Sequence, residues 1–346
     1  MTKLQTSATL TTLDDVRAAA ERIRPVARVT PLVDVSHAAG RRLYLKAENL
    51  QPAGAFKIRG AYNMVAQLTP DERAAGVITY SSGNHGQAMA LAARTLGAPA
   101  VVVMPTTAPA VKIDGARALG AEVILAGTTS VDRRTRAEAE MAARGLTMVP
   151  PFDHEWIIAG QGTAGLEILD QCPDVAAVVI PIGGGGLVAG VAAAIKQSRP
   201  EVVVIGVEPS GAAAMKASVE AGQPVTLPKT ETIADGLMPV RPGDLTFAHV
   251  RAFVDQVVIV EDPDIVRAVL WIFAHARIVS EPSGAAATAA VLSGAAGPWL
   301  PATGAVVAIV SGGNMAPGRL AEFEAIEAER SERADATRER SERADD

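Results

Sequence analysis

Cysteine occurs once, at Cys172, so no disulfide can form within the chain. Aromatic residues are almost as scarce, at 3% of a chain that is 49% hydrophobic. Its core must therefore be built from Ala, Val, Leu and Ile. Basic residues do not dominate either: the formal charge is −6 and the isoelectric point near 5.5, which argues against a nucleic-acid surface. The first 30 residues lack the apolar stretch of a signal peptide, and the expected compartment is the cytoplasm. His154-Glu155 lacks the second histidine of H-E-x-x-H, no Cys/His cluster has zinc spacing, and there is no G-x-S-x-G elbow. His37, His249 and His275 are scattered and are read as structural. One run, Val175 to Ile195, has no charge and imitates a membrane span. Pro181 and four successive glycines interrupt it, so it reads as a buried strand, a tight loop and a helix.

What is present is alternation. A helix is expected over Leu13 to Ile23, with Thr12 and Asp15 forming a capping box, then an extended segment at Arg28 to Leu32 and a strand at Leu43 to Ala47. Strands at Val77 to Tyr80, Ala100 to Met104, Glu122 to Leu125 and Leu146 to Val149 alternate with helices at Gln87 to Leu96, Val111 to Leu119 and Asp132 to Arg144. A second series runs through helix Gly162 to Asp170, strand Val175 to Ile182, helix Leu187 to Lys196 and strand Val202 to Val207. After a loop-rich stretch from Pro224 to Pro242 come helices at Pro263 to Ala276 and Ser283 to Leu292 and a last strand at Ala305 to Val310. β-Branched strands with short loops predict parallel sheets covered by helices, and two such units side by side place a cleft between them. From Leu320 the chain turns acidic, with ten acids and five bases in 27 residues and SERAD written twice. That segment is expected to be a frayed helix or a disordered tail.

The chemistry lies in the loops. Lysine is used only seven times, and Lys57 sits between Phe56 and Ile58 just after the turn signals Pro52 and Gly54. Burial there would lower its pKa and leave a nucleophilic amine. Gly183 to Gly186 follows a buried strand and opens a helix, a turn that gathers backbone N–H groups at the positive end of a helix dipole and suits a phosphate. Gly184, Gly186 and Ala189 also fit G-x-G-x-x-A, with Glu208 ending the next strand, so a nicotinamide oxidoreductase is a rival. Ser81-Ser82-Gly83-Asn84-His85-Gly86 occupies the equivalent place in the first series and suits a carboxylate, and Ser311-Gly312-Gly313-Asn314 forms a third loop.

Taken together, these parts resemble a fold-type II pyridoxal phosphate enzyme of the threonine/serine dehydratase and serine racemase branch. The resemblance rests on TPL at Thr30, ENLQPAGAFKIRGAYN, SSGNHGQA, AGQGTAGLEIL, PIGGGGLVAG, GVEPSG, ETIADG, EPSGA and VSGGN, in that order, from residue 30 to 318. It implies two doubly wound parallel-sheet domains of the tryptophan synthase β-like kind with the cofactor in the interdomain cleft. Residues 1–76 with 153–319 would form the cofactor domain and 77–152 the small domain, leaving 320–346 as the charged tail. It also implies that Lys57 carries the cofactor as a Schiff base and moves the Cα proton, that Phe56 lies beside the ring, and that Asn84 meets the ring hydroxyl. Gly183, Gly184, Gly185, Gly186 and Leu187 would hold the phosphate, and Ser311 would face the ring nitrogen. Ser82 would act on the opposite face of Cα. Ser81, Ser82, Gly83, Asn84 and His85, with Arg133, would hold the substrate carboxylate. The implied reaction is β-elimination from L-threonine or L-serine to a 2-oxo acid and ammonia. Serine racemisation and dehydration of 3-hydroxyaspartate are the alternatives, and a homodimer or higher homo-oligomer is expected.

Three departures qualify the resemblance. Ala53 and Ala55 stand where hydroxyl residues are common in the family. Metal-activated members carry carboxylates at Glu208 and six residues later, where this chain has Ala214. No metal site and little or no magnesium dependence is therefore expected. No regulatory domain is expected after residue 320, nor feedback inhibition by isoleucine through one.

Overall fold

A computed structural model describes residues 9–81, 83–108 and 110–342. The chain opens with helix α1 (Leu13–Ile23), which Thr12 and Asp15 cap reciprocally, Thr12 Oγ1 accepting from the Asp15 N–H and Asp15 accepting from the Thr12 N–H. Strand β1 (Leu32–Asp34), the single turn α2 (Ser36–Ala39) and strand β2 (Leu43–Ala47) follow. Helix α3 (Lys57–Val65) and helix α4 (Pro70–Ala75) lead into the first alternating series. That series is β3 (Val77–Thr79), α5 (Asn84–Thr95), β4 (Ala100–Met104), α6 (Ala110–Ala118), β5 (Glu122–Leu125), α7 (Ser130–Arg144) and β6 (Thr147–Met148). Its four strands form one parallel sheet in the order β5-β4-β3-β6.

The chain then returns through α8 (Glu155–Gln171), β7 (Val175–Pro181), α9 (Gly186–Ser198), β8 (Val203–Pro209), α10 (Ala214–Ala221) and α11 (Asp244–Phe253). It closes with β9 (Gln256–Val260), α12 (Asp262–Ala276), α13 (Pro282–Leu292), β10 (Ala305–Val310) and α14 (Arg319–Glu342). The second sheet has six strands in the order β1-β2-β10-β7-β8-β9. All its pairings are parallel except β1 with β2, which are joined by only a short turn and so must run antiparallel. The run that imitates a membrane span is strand β7, a glycine turn and helix α9. Among the described residues, no helix is long and apolar enough to cross a membrane.

The core answers the scarcity of aromatics. Every residue of β4 and β10 is buried, as are six of the seven in β7, and the side chains are Ala, Val, Ile and Met with one Pro. Central parallel strands covered by helices on both faces require continuous apolar runs rather than alternation. Helix α13, PSGAAATAAVL, is buried over its first nine residues beneath β10 and β7, where Ala side chains permit close approach. The charged segment from residue 319 continues as α14, anchored by Phe323, which is fully buried against the large-sheet core.

Two features differ from the sequence expectation. Helices α3, α10 and α11 and strand β9 arise in segments given no element, and α8 begins seven residues before Gly162. In α8 the segment AGQGTAG is buried, so its period is hidden by small residues that face a neighbouring helix on most sides.

Candidate active site

Lys57 is the first residue of α3, and the chain reaches it through Phe56, whose backbone N–H donates to the Ser311 carbonyl at 3.0 Å. The loop Ala55–Phe56 is thereby fastened to the residues that follow β10, with Ala55 and Gly312 forming an isolated antiparallel bridge. The Lys57 amine lies 5.0 Å from the Phe56 ring centroid and donates to the Pro151 carbonyl at 2.7 Å. Burial lowers its pKa to about 8, since no carboxylate is paired with it to favour the ammonium form.

Behind α3, the neighbouring Arg59 fixes the helix. Fully buried, it donates to both oxygens of Glu48 at 2.7 Å, to both oxygens of Glu167 at 2.7 and 2.8 Å, and to Thr163 Oγ1 at 3.0 Å. Lys46 completes the cluster at 2.6 Å from Glu167. Two cations and two carboxylates leave it neutral, and their mutual pairing offsets the cost of taking them out of water.

The glycine turn between β7 and α9 faces Lys57. Gly185 has φ +97°, a left-handed conformation that a side chain would strain, and it caps a thirteen-residue helix. A Cβ on Gly184 would overlap the Phe152 ring. The turn is held from behind, where Thr246 Oγ1 donates to the Gly184 carbonyl at 2.7 Å. Asp153 accepts from the N–H groups of Asp244, Leu245 and Thr246 at 3.0 to 3.1 Å, which caps α11 and holds that support in place.

One cavity of about 50 Å³ brings these parts together, walled by Phe56, Lys57, Asn84, the turn Gly183 to Gly186 with Leu187, and Ser311. Asn84, at the start of α5, is oriented from two sides. Its Nδ2 donates to Glu281 at 2.5 Å and its Oδ1 accepts from Asn314 Nδ2 at 2.9 Å, leaving one N–H for a ligand. Burial and the nearby Asp235 charge push the Glu281 carboxyl up to about 7. Ser311 is 4% exposed, and its hydroxyl has one long contact, 3.5 Å to the Ser283 carbonyl.

Of the described residues in the SSGNHG loop, only Asn84 reaches this cavity. Ser82 lies outside the described residues. Ser81 Oγ accepts from the Gly83 N–H at 3.3 Å. His85 is buried with Nε2 2.9 Å from the Val149 carbonyl, and burial together with the Lys57 charge lowers its pKa to about 3, so the ring is neutral. Arg133 is not brought to the cavity; its neighbour Arg134 instead lines a second, larger one of about 410 Å³ beside Phe152. Sequence reasoning passed over Glu281, Ser283 and Phe152, all of which wall the inner cavity. Glu281 and Ser283 lie in the EPSGA motif, where a carboxylate beside a helix-starting proline was the available signal. Phe152 had none beyond being one of six phenylalanines.

A family model described as pyridoxal-phosphate dependent enzyme matches residues 23–312. The chain belongs to this family. An L-threonine ammonia-lyase of Thermotoga maritima is 44% identical over 308 residues, a match covering 88% of this chain and 76% of that protein. The structure of maize serine racemase superposes with a TM-score of 0.86 at 37% identity and covers 94% of this chain and all of that one. The processed form of threonine deaminase isoform 2 from Solanum lycopersicum superposes at 0.85 with 39% identity, covering 92% and 95%. The fold class implied by the sequence resemblance, two parallel α/β units of fold type II, is the one found.

The residues present fit pyridoxal phosphate. A desolvated amine suits its aldehyde, a glycine turn opening α9 suits its phosphate, and a buried hydroxyl with spare hydrogen-bonding capacity suits its ring nitrogen. Glu208, which a nicotinamide reading needs for ribose, is fully buried and accepts from the N–H groups of Met215 and Lys216 at 2.8 and 2.7 Å.

Proposed function

We propose that the chain is an ammonia-lyase that dehydrates L-threonine, L-serine or both to a 2-oxo acid and ammonia. The observation that carries this reading is the meeting of the Lys57 amine, the glycine turn and Ser311 in one cavity. The likeness to a threonine ammonia-lyase over most of both chains supports the substrate class.

When bound, pyridoxal phosphate supplies an aldehyde for amines and a sink for the electron pair left at Cα. Lys57 Nζ is the group that would hold it and, once freed, would take the Cα proton; its lowered pKa leaves part of the population neutral and able to do so. Phe56 lies beside the Lys57 amine, and the free N–H of Asn84 is the group that would meet the ring hydroxyl. Ser311 would offer the ring nitrogen a neutral hydroxyl rather than a carboxylate. That favours prompt loss of the β-hydroxyl over prolonged charge storage. The α5 N-terminus, at Asn84, would hold the substrate carboxylate. Water lost across Cα–Cβ and regained on hydrolysis leaves the 2-oxo acid and ammonia.

The test is a visible absorption spectrum of purified protein with pyridoxal phosphate, before and after L-threonine or L-serine. A violet-region band absent from Lys57→Ala and perturbed by either amino acid is the expected outcome; no band in the wild type defeats the reading. The likeness to maize serine racemase favours racemisation as a second reading. Assay of ammonia against D-serine separates the two. We place the enzyme in the cytoplasm, which cell fractionation tests, and expect a homo-oligomer, which sedimentation of the purified protein tests.

A further inference from the structure

The inner cavity is too small for what it should hold. Its volume of about 50 Å³ has room for roughly four waters, well short of a substituted pyridine with a phosphate arm. Some wall must yield when the cofactor loads, and several are held in place. The Gly184 carbonyl is held by Thr246 Oγ1 and by the Gly243 N–H at 3.3 Å, Phe56 is bonded to Ser311, and Ser311 follows the fully buried strand β10.

Phe152 is different. Its ring packs against Gly184 of the glycine turn, so closely that a Cβ there would overlap it. It is only half-buried and sits in the segment between β6 and α8, outside any strand or helix. It also lines both cavities, so behind it lies the outer cavity of about 410 Å³, lined among others by Tyr80, Met141, Met148 and Arg241. Asp153, the next residue, is pinned by its three hydrogen bonds to the start of α11, so rotation of the Phe152 side chain can proceed while the backbone beside it stays fixed.

We propose that Phe152 is a partition through which the cofactor enters, its ring turning off Gly184 into the outer cavity so that the two spaces become one site. The outer cavity then serves as the room that receives the ring. This rests on the cofactor assignment above and concerns loading rather than catalysis.

The experiment follows uptake of pyridoxal phosphate by the apoprotein, reading association and dissociation rates from the cofactor's visible absorbance. Phe152→Ala is expected to associate about tenfold faster than wild type. Met141→Trp, which fills the outer cavity and leaves Phe152 in place, is expected to associate about tenfold slower. A merely structural Phe152 would lower thermal stability and leave the association rate alone. Wild-type rates in both variants overturn the proposal; if Phe152→Ala does not fold, Phe152→Leu takes its place beside Met141→Trp. Failure of the wild type to take up any cofactor overturns the partition and the cofactor assignment together, whereas normal uptake with unchanged variant rates overturns the partition alone.

Discussion

Burial of the Lys57 amine without a carboxylate partner sets the pH behaviour of the site. At a pKa of about 8, about a quarter of molecules carry the neutral amine at pH 7.5, against about one in a thousand at the ordinary lysine value. The folded-state pKa is lowered, so the neutral nucleophile gains as pH rises and is half-formed near 8. Cofactor uptake by the apoprotein should therefore rise between pH 6.5 and 9 and level off above. A rate still climbing at pH 10 would mean that the amine is solvated. Lys57 was legible because it is a rare residue set between apolar neighbours. Phe152 and Glu281 were not, because each reaches the cavity from a segment distant in sequence, one through the chain's return from the small sheet and one at the start of α13. Arg133 shows the limit in the other direction: adjacent helical residues point about 100° apart, and it is Arg134 that faces a cavity.

Among the elements, strands and helices with unbroken β-branched or amphipathic runs were legible, and α1, β2, β4, β5 and β10 begin and end where the sequence places them. Elements held mainly by tertiary partners were not. Helix α3 begins at Lys57 and carries an apolar stripe of Ile58, Ala61, Tyr62 and Val65, but it has no side-chain cap and also buries Arg59 and Asn63. What holds it is the cluster of Arg59 with Glu48 and Glu167. Replacing Arg59 with Met should destabilise the fold by about 3–5 kcal/mol in urea titration, because two buried carboxylates would face Lys46 alone. Helix α10 likewise lacks a capping side chain of its own and takes its cap from Glu208, whose burial pushes the carboxyl up to about 7. Glu208→Ala should cost about 1–3 kcal/mol by orphaning two backbone N–H groups. Both Glu208 oxygens are engaged in this way, and the residue six places on is Ala214. Activity is accordingly expected to survive chelation by EDTA, and its loss with restoration by magnesium would contradict that use of Glu208.

At the scale of the whole molecule, the site is assembled from both sheets, whose units share a buried apolar cluster between α3 and α5, and few polar groups close it. Asn84, from the four-stranded unit, meets Glu281 and Asn314 of the six-stranded one, and Lys112 reaches Asp235 at 3.1 Å on the exposed rim. The rim pair contributes little in water. A ligand bound to Lys57, Asn84, the glycine turn and Ser311 at once would hold the two units together more firmly than these contacts do. It would stabilise the folded state by about 2.7 kcal/mol at a hundredfold excess over its dissociation constant. For a chain of this length that is a rise of a few degrees in melting temperature. Stripping the cofactor should therefore lower Tm by that amount, and adding it back should restore the loss. Lys57→Ala removes the proposed tether and leaves the glycine turn, so the rise should persist but need higher cofactor concentrations to reach. Equal melting temperatures with and without cofactor in the wild type would show that the ligand bridges nothing and that the two sheets are held by their own contacts.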